Sequence, residues 1–322
     1  MRIVILDAKT LGEGVNFDSI SSAGQLTVYP LTAPKEIAGR IRDAEVVLVN
    51  KIRLNESNLH DAQSLKLICV AATGYDNIDI EYCRTHGIAV CNVVGYSTDS
   101  VAQLTVSLVL NLMMHMPYFT GFVRDGSYTA SGVPNRLSPI FRELAGKTWG
   151  VIGAGNIGMK VAKIADAFGC RVLLHCRHPK DVDYPKDVDY PILPLNEVCE
   201  QSDILSVHTP LNDESYHLIN AETIDKMKDG VILVNLARGA VTDEAAVADA
   251  VMSGKIGGFA TDVYSVEPFG TDHPMYALRE HPNVCMTPHM AWGALEARQR
   301  CINEMANNIL TFAKGERRNR VV

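Results

Sequence analysis

The sequence predicts an α/β protein made of two doubly wound parallel sheets, and three observations predict it. Residues 1–98 alternate short, largely β-branched apolar runs with polar, helix-like stretches, the pattern of a parallel sheet covered by helices. An apolar run at 149–152 leads directly into Gly153-Ala154-Gly155-Asn156-Ile157-Gly158, a G-x-G-x-x-G lodged between a strand and a helical pattern. Further strand candidates follow at 171–174, 204–207, 231–236, 258–260 and 284–286, enough with the first to complete a second doubly wound sheet.

Length and composition set the outer bounds. The chain has 322 residues, 47% hydrophobic and 21% charged, which suffices for two domains with separate cores. A formal net charge of −7 points away from a nucleic-acid partner or an anionic membrane surface. Met1-Arg2-Ile3-Val4-Ile5-Leu6 reads as a first strand rather than a leader. The most apolar stretch, 101–116, contains Gln103, Asn111 and His115 and is too short and too polar to span a bilayer. Eight cysteines, at 69, 83, 91, 170, 176, 199, 285 and 301, form no C-x-x-C pair. Free thiols in a reducing cytoplasm are therefore expected, without a disulfide framework. His175-Cys176-Arg177-His178 has ligand-like residues but no second cluster at metal spacing, so no metal is expected.

In the first domain the strand candidates are 3–6, 46–49, 67–71 and 88–91, with helical stretches at 34–43 and 55–62. It lacks a glycine fingerprint and is not expected to bind a dinucleotide. The loop Ala71-Ala72-Thr73-Gly74-Tyr75-Asp76-Asn77 follows an apolar strand, the place where ligands sit in open α/β sheets. From spacing alone it is either an anion-binding turn at Gly74 or a plain turn with Asp76 capping the next helix. Thr98-Asp99-Ser100 reads as the N-cap of a long helix to about Met116, where Pro117 intervenes. Its apolar residues, Val101, Leu104, Val106, Leu108, Val109, Leu110, Leu112 and Met113, run nearly all the way round. Such a helix must be buried, at a domain junction or against another subunit. Residues 124–142, with Gly126, Gly132, Pro134 and Pro139, read as an extended arm. Helix and arm together predict a homodimer.

In the second domain Gly153 permits a tight turn, Gly155 lets a pyrophosphate approach the backbone, and Gly158 lets helix and strand pack closely. The helix at 156–168 puts Ile157, Val161, Ile164, Ala165 and Phe168 on one face and offers N-terminal N–H donors to phosphate. Helices at 220–227 and 243–252 open on capping residues. The second strand ends Leu174-His175-Cys176-Arg177, with Cys176 where NAD specificity requires an acid for the ribose 2′-OH. Without that carboxylate a 2′-phosphate is not repelled, and Arg177 offers it a cation. NADP, or use of both cofactors, is favoured over NAD alone. The hexapeptide beginning at Pro179 is duplicated at once from Pro185; in a surface loop this costs little closure entropy, and no role is expected for it.

Three polar residues carry candidate chemistry. Arg238 follows a strand in Asn235-Leu236-Ala237-Arg238-Gly239, Glu267 sits in Thr261-Asp262-Val263-Tyr264-Ser265-Val266-Glu267-Pro268, and His289 ends a strand in Met286-Thr287-Pro288-His289. They supply a fixed cation for a carboxylate, an imidazole that moves a proton near neutral pH, and a carboxylate to hold it. Each alone also has a purely structural reading.

The motifs AATGYDNID, LAGKTWGVIGAGNIG, HTPLNDES, NLARGAVTDE, TDVYSVEP and TPHMAW resemble, in order and spacing, those of the D-isomer-specific 2-hydroxyacid dehydrogenases along nearly the whole chain. The resemblance implies a Rossmann dinucleotide domain, residues 99–289, inserted into a discontinuous flavodoxin-like substrate domain, residues 1–98 and 290–322, with the active site in the cleft. It implies hydride transfer between NAD(P) and a short D-2-hydroxy acid or 2-keto acid. His289 is then the acid/base, Glu267 its partner, and Arg238 the residue that binds the substrate carboxylate and polarises the carbonyl. Gly153, Gly155, Asn156, Ile157, Gly158 and Ala237 then belong to the cofactor site, with Gly155, Asn156 and Ile157 lining the pyrophosphate, His208, Thr209 and Pro210 passing beside the adenosine ribose and Asp262 approaching the nicotinamide carboxamide. Thr73 and Gly74 hold the substrate carboxylate. Lys51 and Trp292, with the opening Leu6-Asp7-Ala8-Lys9-Thr10-Leu11, are most similar to the hydroxypyruvate reductase (glycerate dehydrogenase) branch, which makes hydroxypyruvate or glyoxylate the expected substrate. The other readings are a D-lactate-type or other 2-hydroxyacid enzyme, against which Lys51 weighs, and a nucleotide-sensing corepressor-like protein, against which the retained Arg238, Glu267 and His289 weigh.

Overall fold

The computed structural model describes residues 1–178 and 189–322; the duplicated hexapeptide, up to residue 188, lies outside the described residues. Contacts divide the chain into two compact units, Met1–Ser97 with Trp292–Val322, and Thr98–Ala291.

The first unit holds five parallel strands: β1 Arg2–Ile5, β2 Gln25–Val28, β3 Val46–Val49, β4 Leu67–Val70 and β5 Ala89–Cys91. Their order, β2-β1-β3-β4-β5, is that of a flavodoxin-like doubly wound sheet. Strands β3 and β4 are buried along their full length, which is why they read as unbroken apolar runs. Strand β2 escapes the sequence reading because it is a half-exposed edge containing Gln25 and Thr27; only its pairing with β1 reveals it. The period of two is visible in β1. Ile3 and Ile5 pack under the helix Leu295–Ala313, against Ala297, Cys301, Ile302 and Met305, while Val4 and the following Leu6 join Ile37, Ile41 and Leu59 on the other face. Each such fully buried aliphatic side chain stabilises by about 1.5–3 kcal/mol relative to exposure.

Among its described residues the second unit holds six parallel strands: β6 Thr148–Ile152, β7 Arg171–His175, β8 Ile204–Val207, β9 Val231–Asn235, β10 Ile256–Thr261 and β11 Val284–Met286. Their order is β11-β10-β9-β8-β6-β7. A single parallel bridge from Leu174 to Ile192 continues the sheet beyond β7, too short to leave a pattern in the sequence. The winding reverses between β6 and β8, so the crevice that receives ligands in such sheets opens at the carboxyl ends of these two strands.

The helix Thr98–Met114 finds its burial inside its own unit, packing on the helix Asn156–Ala167 and on β9, β10 and β11. Gln103 and Ser107 mark its exposed side. A second helix, Met116–Arg124, follows at 63°, with Pro117 in its first turn, where a missing N–H costs nothing. Among the described residues no single helix is long and apolar enough to cross a membrane. The arm contains one short helix, Ser127–Ser131, and then runs irregularly, with Leu137 68% and Ile140 76% exposed. None of the eight cysteines, all of which lie among the described residues, is in a disulfide.

Candidate active site

The glycine fingerprint stands at the reversal point. After β6 the chain turns at Gly153, whose φ of +102° is a conformation L side chains rarely adopt, and a Cβ there would stand 2.7 Å from the His208 carbonyl carbon and Thr209 nitrogen. Gly158 has still less room, since its Cβ would lie 1.9 Å from the Gly153 carbonyl oxygen. Gly155 differs, because a Cβ there would meet nothing within 4 Å. It is the N-cap of the helix Asn156–Ala167 and has no capping side chain. The first-turn N–H groups of that helix have no intrahelical partner and favour an anion.

Beyond β8, His208 donates its backbone N–H to Ile152 at 2.7 Å. Both its ring nitrogens are buried without a hydrogen-bond partner among the described residues, and burial pushes the imidazole pKa down to about 3. The ring is therefore neutral and keeps one donor and one acceptor, a set that suits a sugar hydroxyl. The orphaned imidazole, the glycine cradle and the uncapped helix start fit a dinucleotide. Thr209 is half-buried and Pro210 exposed beside it. At the end of β7, Cys176 is half-buried, and the Arg177 guanidinium pairs with Glu214 from the loop after β8.

Arg238 is set by the turn after β9. The buried Asn235 accepts from the Ala237 N–H at 3.0 Å and donates to the Arg238 carbonyl at 3.0 Å, so one amide side chain closes the turn. The guanidinium is half-buried and donates to the Ala237 carbonyl at 2.9 Å. At Gly239 a Cβ would lie 2.0 Å from the Tyr264 carbonyl carbon and 2.2 Å from the Ser265 nitrogen; this turn presses directly on the loop after β10.

That loop carries the acidic partner. Glu267 accepts the Tyr264 N–H on Oε1 at 3.0 Å, and its Oε2 meets His289 Nδ1 at 2.6 Å. A carboxylate on Nδ1 assigns the proton to that nitrogen and leaves Nε2 to exchange one with a ligand. The side chains of His289 and Glu267 are 26% and 33% exposed, so the pair is reachable from solution. His289 itself has φ +51°, uncommon for a non-glycine residue and frequent at functional sites. Asp262, 1% exposed, holds this turn from both sides: it accepts from Thr287 Oγ1 at 2.6 Å, Met290 N at 2.8 Å and Ala291 N at 2.7 Å. Its carboxylate is thus largely engaged within the protein.

The remaining candidates lie in the first unit. Lys51 is exposed, and its backbone N–H donates to Asp7 at 2.7 Å. Asp7 is buried and also accepts from the N–H groups of Asn50 and Ile52. Burial raises its carboxyl pKa more than these donors lower it. Thr73 donates its hydroxyl to the Val93 carbonyl at 3.0 Å and accepts on its own carbonyl from Asn92 at 2.7 Å, next to the half-buried Gly74. The cap of the following helix, Ile80–Thr85, is Asp79 and not Asp76, through the Tyr82 N–H at 3.0 Å. Trp292 packs half-buried against the core under the helix Leu295–Ala313.

Sequence reading missed Asp7, Asn235 and Tyr264. Each acts through a contact that folding makes; all three stood inside quoted motifs, but nothing in the sequence showed which partners they would meet.

Comparison with known proteins places this geometry. Residues 106–291 match the family described as D-isomer specific 2-hydroxyacid dehydrogenase, NAD binding domain. A hydroxypyruvate reductase of Blautia hydrogenotrophica is 33% identical over 319 residues, 98% of this chain and 98% of that protein. A glycerate dehydrogenase of Methylorubrum extorquens is 33% identical over 99% of this chain and 98% of its own. The crystal structure of D-lactate dehydrogenase from Aquifex aeolicus, complexed with NAD and lactic acid, has a TM-score of 0.83 at 30% identity, covering 98% of this chain and 96% of that one. The chain therefore belongs to the D-isomer-specific 2-hydroxyacid dehydrogenases, nicotinamide-dependent oxidoreductases of 2-hydroxy acids.

Proposed function

We propose that this enzyme reduces hydroxypyruvate, with glyoxylate as a smaller alternative, and that the first unit is its substrate domain and the second its dinucleotide domain. The observation that carries the reading is the Glu267–His289 contact at 2.6 Å, a proton-transfer pair presented at the end of a sheet that also bears a glycine cradle.

When bound, the nicotinamide supplies or accepts the hydride. His289 gives its Nε2 proton to the substrate's carbonyl oxygen during reduction and takes it back during oxidation. Glu267 fixes the ring orientation and keeps the proton on Nδ1. Arg238 binds the substrate carboxylate and polarises the carbonyl, acting where negative charge develops. In the first unit, the backbone at Thr73 and Gly74 contributes to carboxylate binding, Lys51 to a polar group of the substrate, and Trp292 to the wall of its pocket. Gly155, Asn156 and Ile157 serve the pyrophosphate, His208, Thr209 and Pro210 the adenosine ribose, and Ala237 and Asp262 the nicotinamide end. Asp262 also keeps His289 in its strained turn.

NADP, or both cofactors, is favoured over NAD alone. Cys176 places no carboxylate where a 2′-phosphate would sit, and Arg177 is a cation that must exchange Glu214 for that phosphate. The exposed apolar arm around Val133, Leu137, Ile140 and Phe141 supports a homodimer, and the free, mostly buried thiols support a cytoplasmic setting. A D-lactate-type substrate is the second reading, favoured by the likeness to the Aquifex aeolicus structure.

The test is loss of reduced-nicotinamide absorbance with hydroxypyruvate, glyoxylate and pyruvate, each with NADH and NADPH. Fastest turnover of hydroxypyruvate supports the proposal; fastest turnover of pyruvate favours the D-lactate reading, and silence in all six mixtures overturns both.

A further inference from the structure

We propose that Tyr264 and Glu244 are positioning residues that set the mutual placement of Arg238, Glu267 and His289. The inference rests on the roles given above to those three residues.

Tyr264 touches the framework of all three. Its N–H holds Glu267 Oε1 at 3.0 Å, and its hydroxyl donates at 2.9 Å to the carbonyl of Thr287, two residues before His289. Its carbonyl carbon is the atom on which Gly239, next to Arg238, is pressed. The ring is fixed by Phe269, with centroids 4.7 Å apart. One residue therefore fixes one end of the Glu267–His289 pair through its backbone, the other through its side chain, and the Arg238 turn by contact.

The joint is clamped from behind by Glu244, the first residue of the helix Glu244–Ser253 and 8% exposed. Its carboxylate accepts the Ser265 N–H at 3.0 Å, the Ser265 hydroxyl, and His273 Nε2 at 3.0 Å. His273 accepts the Met275 N–H on Nδ1 at 3.2 Å, which leaves Nε2 as the nitrogen that donates to Glu244. A buried carboxylate with three donors and no guanidinium or ammonium among them is costly to keep unless all its bonds are made. The network is thus rigid where it grips the Tyr264–Ser265 segment. Displacing reacting groups by about 1 Å costs on the order of a hundredfold in rate, so a looser joint is read out in turnover.

The test is a set of conservative variants assayed on the intact enzyme. Tyr264→Phe removes only the hydroxyl, and Glu244→Gln keeps shape while removing an acceptor; Ser265→Ala replaces Glu244→Gln if that variant does not fold. Each is expected to lower kcat about tenfold or more, to leave the Kd for NADH within about twofold, and to raise the solvent deuterium isotope effect on kcat as proton transfer becomes limiting. A merely structural role predicts a lower Tm with unchanged kcat and isotope effect well below Tm, and that result overturns the proposal. Glu267→Gln is measured alongside. If it loses activity while Tyr264→Phe and Glu244→Gln do not, the joint is wrong and the site reading stands. If Glu267→Gln is also fully active, the site reading itself fails and takes the joint with it.

Discussion

The last two glycines of the fingerprint make opposite predictions. In Gly158→Ala the new Cβ would sit 1.9 Å from the Gly153 carbonyl oxygen, whereas real Cβ atoms essentially never come under 3.0 Å. Helix and turn must therefore separate by at least 1.1 Å, the difference of those two distances. Overpacking of that kind costs about 1–3 kcal/mol, which for a unit of this size lowers Tm by roughly 2–12 °C. In Gly155→Ala the Cβ meets nothing within 4 Å and φ is −78°, which alanine adopts freely. Its Tm should stay within about 2 °C of wild type, because a small cap penalty is offset by a less flexible unfolded chain. If Gly155 lines the pyrophosphate as proposed, the added methyl group crowds that approach to the backbone, and the Kd for NADH should rise tenfold or more, about 1.4 kcal/mol. Thermal melts and titration of nicotinamide fluorescence measure both quantities. If Gly155→Ala binds NADH like wild type, or melts as early as Gly158→Ala, the assignment of the cradle is wrong.

Other consequences are equally open to measurement. His208 has a folded-state pKa of about 3 against about 6.5 when unfolded. The unfolded chain therefore takes up the proton first. The fold is unaffected by this group above pH 6.5 and loses stability as pH falls toward 3, by about 5 kcal/mol at most. The difference in unfolding free energy between wild type and His208→Asn should shrink or reverse across that window; a pH-independent difference would exclude the buried neutral ring. Cys176→Asp should move the NADH/NADPH ratio of Kd values toward NADH by about tenfold or more, and no change would show that this strand end does not read the 2′ position. Arg238→Ala should lower kcat/KM by about a hundredfold or more; an unaltered kcat/KM means that the substrate carboxylate is held elsewhere.

What the sequence revealed and what it hid follow from the range of the interactions. The strands β3, β4, β6 and β8 are buried along their full length; β3 and β4 show as unbroken apolar runs, while Thr148 and Ser206 are the polar members of β6 and β8. The Gly153–Gly158 turn is local, so spacing alone exposed it. Edge strand β2 and the one-residue bridge at Ile192 were illegible because neither buries enough to leave a pattern. Position and chemistry singled out Arg238, Glu267 and His289 and motif resemblance gave them roles, but neither showed what aligns them. The contacts that do so join residues far apart in the chain: Asp262 to Met290 and Ala291, Tyr264 to Thr287, Glu244 to Ser265. Asp262 illustrates the limit most clearly, since the motif placed it near the nicotinamide while its carboxylate is largely occupied in holding the His289 turn.

In the proposed reaction His289 carries the proton in the reduction of a short 2-keto acid. The most direct measurement is kcat for hydroxypyruvate reduction by wild type and His289→Ala under saturating reduced cofactor. Rapid turnover by wild type is expected, with a loss of about two orders of magnitude or more in the variant and cofactor affinity retained. Near-normal turnover by His289→Ala would contradict that role.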